Sequence, residues 1–250
     1  MRRAIAAALH ACLLSFGAAR AESLVSTLSD NDVEITSNFT GEQIVVFGAV
    51  IGAPPGDPGY EAAVVVEGPD HEIVVRRKSR LLGIWANRAS RRFERVPSFY
   101  AANFSRDFPT TLDPAVMEGH RLGIRSLPFV VTSAPDGVAK LFAEAFIDLK
   151  SEHALYAEKP DAVQFLAPNV FRTTFFLPSD VPTGDYKVSA YLFRDGAFLA
   201  EQTQALTVEK GGFSERIAAY ADERPLAYGL ASVALALFTG WFAGVIFKRP

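Results

Sequence analysis

The chain has 250 residues, 49 % of them apolar, and a formal net charge of −3. That balance excludes generic binding to nucleic-acid backbones, which demands a cationic surface. The single cysteine, Cys12, lies so near the N-terminus that a chain processed beyond it has no disulfide, thiolate nucleophile or cysteine metal site.

Residues 1–21 carry two arginines, then an apolar run from Ala4 to Ala19, then the small-x-small pattern Ala19-Arg20-Ala21. This reads as a secretory signal peptide cleaved after Ala21, with an uncleaved N-terminal anchor as the alternative. Downstream, Val33, Ile35, Ser37 and Phe39 alternate with polar residues, a period of two that predicts a half-buried strand. The run Ile44 to Ile51 is apolar on both faces and predicts a central, doubly covered strand. Residues 53–59 hold three prolines and two glycines and predict a surface loop. Residues 62–67 and 72–76 then read as a hairpin around Gly68-Pro69-Asp70.

The next segment is the most unusual in composition. Arg76, Arg77, Lys78, Arg80, Arg88, Arg91, Arg92 and Arg95 crowd together with Trp85 between them, so eight of the chain's 25 basic residues fall within twenty positions. Arginine forks suit carboxylates, sulfate, phosphate or lipid headgroups, and Trp85 could anchor a contact, which makes this the candidate anion or partner surface. The bland alternative is a solvated face whose charges are balanced by acids from elsewhere in the fold.

From about residue 111 to 160 the period becomes helical. Asp113-Pro114 is a cap and first-turn pair for a helix reaching Arg121. Residues 133–136 resemble a capping box before a second helix, whose expected core face is Val138, Leu141, Phe142, Ala145, Phe146 and Leu149. Strands return with Phe171, Thr173, Phe175 and Leu177 on one face. Residues 186–193 and 197–208 form a hairpin about Asp195-Gly196, residues that accept the positive φ of a type I′ turn, with a bulge expected near Gln202. Strands on both sides of a helical segment predict a mainly β fold: an immunoglobulin-like antiparallel β-sandwich with a helical insertion at about 111–160. Two small β-rich domains are the alternative.

Leu226 to Phe247 is a run of 22 residues without a charge, followed by Lys248-Arg249-Pro250. At about 1.5 Å per residue such a helix covers roughly 33 Å, enough for a hydrocarbon core of about 30 Å. The expected organisation is therefore a signal peptide (1–21), a periplasmic domain (22–209), a juxtamembrane segment (210–224), a transmembrane helix (225–247) and a cytoplasmic tail (248–250). Positive residues after the span favour that orientation. Within the span Ala236, Gly240 and Gly244 recur every four residues, a spacing that lets a partner helix, or a second copy, approach closely.

The three remaining histidines, His71, His120 and His153, fit no metal spacing, and no nucleophile elbow, phosphate loop or dinucleotide fingerprint is present. No cofactor is expected. Asn38-Phe39-Thr40 and Asn103-Phe104-Ser105 match the glycosylation sequon.

Seven stretches carry a resemblance. They are Asn38 to Gly41 running on through Val46 to Ala49, Lys78 to Asn87, Val96 to Tyr100, Ala145 to Lys150, Gly184 to Tyr186, Tyr228 to Leu230, and Gly240 to Phe242. In their order the chain resembles a family of transmembrane proteins from alphaproteobacteria, each with an exported domain and one C-terminal span. The resemblance implies a bacterial inner membrane and a periplasmic domain, and brings no catalytic residues. The expected function is a non-enzymatic, membrane-anchored interaction module serving a larger membrane assembly such as a transporter. The alternative is a membrane-tethered enzyme or small-anion receptor built on residues 76–95.

Overall fold

The computed structural model describes residues 22–56, 59–81, 84–106, 108, 112–131, 136–211, 217 and 220–246; for positions 79, 81, 84–88, 130, 131, 136 and 245 it describes backbone only. The expected signal segment 1–21, the expected tail 248–250, positions 133–135 of the expected capping box and much of the expected juxtamembrane segment lie outside the described residues. The described strands and helices follow in chain order as β1 (Ser23–Leu28), β2 (Asp32–Ile35), β3 (Glu42–Ile51), β4 (Tyr60–Glu67), β5 (Asp70–Leu81), β6 (Ile84–Pro97) and β7 (Tyr100–Phe104). Helix α1 (Pro114–Gly119), a 3-10 turn at Ile124–Ser126, β8 (Val130–Val131) and helix α2 (Asp136–Glu152) come next. The chain closes with β9 (Tyr156–Lys159), β10 (Gln164–Ala167), β11 (Val170–Leu177), β12 (Gly184–Arg194), β13 (Ala197–Lys210) and helix α3 (Pro225–Ile246).

The fold is mainly β, and its sheets draw on strands from both sides of the helical segment. One sheet has the order β1-β3-β11-β10 and is antiparallel throughout. The second, β2-β13-β12-β4-β7-β9, is antiparallel in its centre and parallel where β2 joins β13 and β9 joins β7. Side chains of period two divide this sheet's residues between two cores. Ala62, Val64, Val66, Val188, Ala190 and Leu192 face the first sheet, together with Ile44, Val46, Phe171 and Phe175. Ala63, Val65, Ala102, Tyr191 and Phe193 face the opposite way, onto Phe142 and Phe146 of α2 and Phe93 of β6. The result is three layers, with the six-stranded sheet in the middle.

The strands covered on both faces are consequently β4, β7 and β12 of the middle sheet, not β3. Inward residues of β3 alternate with exposed or half-exposed ones, and Phe47 and Ile51 look outward. β3 and β4 both read as apolar, but β4 carries Ala62 and Ala63 where two layers close on it. On β3 the close approach is at Gly48, where a Cβ would stand 2.1 Å from the Phe171 ring.

The expected hairpin about Gly68-Pro69-Asp70 does not form. β4 pairs with β12 and β7, whereas β5 pairs with β6 in a separate three-stranded sheet of order β5-β6-β8. The linking backbone is bonded instead to the turn before β7: Gly68 N–H donates to Phe99 and Ser98 N–H to Pro69. The β12–β13 hairpin forms as the Asp-Gly pair predicts, with Asp195 at φ 51° and Gly196 at φ 77°. Its register slips between Leu192 and Phe193, which leaves Leu199 as the bulged residue rather than Gln202. At the start of β12 the Tyr186 hydroxyl donates back to the Pro182 carbonyl.

Candidate functional site

The basic segment becomes a long two-stranded projection. Residues Ile73 and Val75 of β5 and Phe93 of β6 pack at its base on the second core, while Arg76, Arg77, Lys78 and Arg80 are exposed. Strand alternation sorts these cations. Arg76, Lys78 and Arg80 share the outward face with Val74, whereas Arg77 points to the same side as Val75, toward α2. On β6, Arg91 is consumed by packing: its guanidinium lies 5.6 Å from the Phe142 ring centroid and donates to the Ser90 carbonyl. Arg92 forms an ion pair with Glu72 at 2.7 Å. Arg95 adopts φ 52° at an irregularity in the β5–β6 pairing. Backbone pairing sets Trp85 opposite Arg80 and leaves Arg88 as the extra residue between Asn87 and Ala89, but their side chains lie outside the described residues. Among the described residues Arg76, Arg77 and Lys78 make no ion pair.

Helix α2 decides what these cations border. Three side chains at a spacing of four hold it down. Phe142 packs under Arg91, Phe146 stacks on Phe93, and Lys150 donates to the Ser98 carbonyl at 2.9 Å while lying over the Phe146 and Tyr156 rings. Burial pushes the Lys150 ammonium below its ordinary range. With that row inside, the adjacent row turns out. Leu141 and Leu149 are 51 and 52 % exposed, and Val138 and Ala145 are exposed with them. The expected core face was thus too wide: only Phe142 and Phe146 of its six members are buried.

Between Val75, Arg76 and Arg77 on β5 and Leu141, Phe142 and Ala145 on α2 runs an open groove of about 430 Å³. On the other side of the helix Glu144 and Asp148 line a separate depression with Lys140, Arg125 and Glu158. The groove therefore has a basic rim on the strand and an apolar wall on the helix. Sequence reading missed the apolar row as a surface because periodicity reports an apolar stripe without saying how much of it the sheet will cover.

Elsewhere, burial raises the Glu67 carboxyl above its usual range against the opposing pull of Arg121, whose guanidinium is 3.9 Å away. The Tyr100 hydroxyl accepts from Gly123 N–H and donates to the Arg121 carbonyl, and burial pushes it well above the ordinary phenol range. Neither group opens onto the basic rim. His120 stacks on Phe198 and His153 lies 3.9 Å from Asp180, and among the described residues no three His, Cys, Asp or Glu side chains gather as a metal cage. Asn103 is buried and hydrogen-bonded across the sandwich, which withdraws that sequon from modification in the folded domain.

Helix α3 is apolar throughout, 20 of its residues form a membrane-length stretch of mean hydropathy 1.6, and none of that stretch is buried. Ser232, Ala236, Gly240 and Gly244 fall on one row of its surface, and no atom outside the helix approaches either glycine. That 20-residue stretch is long and apolar enough to cross a membrane. No curated protein matches the chain. A family model covers residues 23–249, from the first strand through the membrane helix, and the chain belongs to that family, described as "Putative transmembrane protein (Alph_Pro_TM)".

Proposed function

We propose that this protein is a membrane-anchored interaction module. Its exported domain presents the β5–β6 projection and the outer row of α2 to another protein of the same membrane assembly. The observation that carries this reading is the groove: its cations are strung along a strand and border an apolar wall, and among the described residues no enclosed pocket gathers several arginines around one small anion. That arrangement supports a non-enzymatic role over a small-anion site. The strand order β1-β3-β11-β10 facing β2-β13-β12-β4, with Tyr186 turned back on Pro182, supports an immunoglobulin-like connectivity, a rigid scaffold for such projections. The signal segment and the cationic tail support an inner-membrane protein with its domain in the periplasm and its C-terminus in the cytoplasm. The row of Ala236, Gly240 and Gly244 supports a close helix contact within the bilayer, with a partner's span or a second copy.

The test is quantitative cross-linking and mass spectrometry in native membranes, with wild type compared against the Arg76→Glu/Lys78→Glu variant. One or more protein partners should cross-link to the wild type and be depleted by the charge reversal. Identical partner profiles, or cross-links to lipid alone, would count against the reading.

A further inference from the structure

We infer that the groove between β5 and α2 receives an extended segment of the partner protein, added as a strand to the free edge of β5 and alternating apolar with acidic side chains. This rests on the interaction-module reading and specifies the partner's chemistry. β5 ends the order β5-β6-β8, so among the described residues one edge of this 12-residue strand has no neighbouring strand. Among the described residues the backbone of 71–79 makes no backbone hydrogen bond outside its sheet. A long open edge is a template for another strand unless something covers it.

The groove dictates what the added strand must carry. Its inward side chains would meet Leu141, Phe142 and Ala145 and so are apolar, save where one stands beside Arg77. Its outward side chains would stand beside Arg76, Lys78 and Arg80 on the same face as β5, where cross-strand neighbours of opposite charge are favoured. Hydrogen bonds to the β5 edge supply affinity, and the alternation supplies specificity. A bilayer surface seated on the groove would supply no backbone partner for the β5 edge. A helix lying in the groove would leave the β5 edge unpaired.

The test uses the full chain in nanodiscs of zwitterionic lipid and a fluorescent decapeptide alternating leucine and glutamate. Binding is expected, with a loss of at least about tenfold in Arg76→Glu/Lys78→Glu, whose outward-facing cations become repulsive. Ala145→Trp, which fills the groove from an exposed helix position, should lose binding comparably while its unfolding midpoint stays at the wild-type value. In a strand, alternate amides point to opposite edges, so N-methylating one alternate set should abolish binding while methylating the other is tolerated. Equal damage from the two sets, equal binding of a leucine–lysine decapeptide, or binding only with anionic lipid overturns the inference. If the peptide fails while charge reversal still removes a cross-linked partner, strand addition is wrong and the module reading stands. If both fail, both are wrong.

Discussion

Asn103 sits on β7 with its side chain 2 % exposed, and its amide bridges the sandwich to Thr173 Oγ1 at 2.8 Å and the Thr174 carbonyl at 3.1 Å. Thr173 in turn donates to the Ala162 carbonyl. Asn103→Ala strips these groups of their partner and should cost about 1–3 kcal/mol, read from denaturant unfolding. Glu67 makes a pH prediction. Its folded carboxyl holds a proton to higher pH than the unfolded one, so the native state binds more protons in the window between them. This contribution to stability should therefore be present below that window, be lost as pH rises through it, and stay constant above it. Glu67→Gln should remove this dependence, and a variant whose melting profile follows wild type across the acid range would contradict the burial argument. The Asn103 sequon shows what a local motif omits: the residue triplet is correct, but the sandwich closes over it.

At the scale of elements, α2 separates two residues that look alike in sequence. Phe146→Ala should cost about 3–5 kcal/mol, as for other buried aromatics. Leu149→Ala should stay within about 0.5 kcal/mol, as at ordinary exposed positions. Comparable losses would mean that the apolar row is covered in the isolated chain. Gly48→Ala should cost about 1–3 kcal/mol, because the added methyl meets the Phe171 ring from the facing strand. The elements themselves were legible wherever local chemistry decides them. Asp195-Gly196 dictated its hairpin, Phe171, Thr173, Phe175 and Leu177 revealed the buried face of β11, and Asp113 capped α1 through a 2.9 Å bond from Ala115 N–H. Partnership was not legible. Val64 and Val46 are equally apolar and both strands are flanked on two edges, but only β4 has a packed layer on each face. Gly68-Pro69-Asp70 reads as a turn whether the chain doubles back or passes to another sheet.

At the scale of the whole molecule, a mainly β body and an apolar span were legible because each depends on pattern over a long stretch. The candidate site was only half legible. The cations announced themselves, but their division between an outward row, a packed Arg91 and an Arg92–Glu72 pair depends on register, and the apolar wall belongs to a helix some sixty residues later. The proposed orientation predicts that a single cysteine at Lys78 reacts with an impermeant maleimide in spheroplasts, whereas one at Arg249 reacts only after permeabilisation; the reverse pattern would invert the topology. Gly240→Ile/Gly244→Ile should weaken self-association or partner association of the span without altering the exported domain. The most direct test of the account is photo-cross-linking in native membranes from a reactive residue placed at Leu141 in the groove, compared with one at Leu166 on the outer face of the four-stranded sheet. The account predicts a protein adduct from Leu141 whose contact maps to an extended apolar–acidic segment, and far less from Leu166. An adduct from Leu166 alone, or only lipid from Leu141, would contradict it.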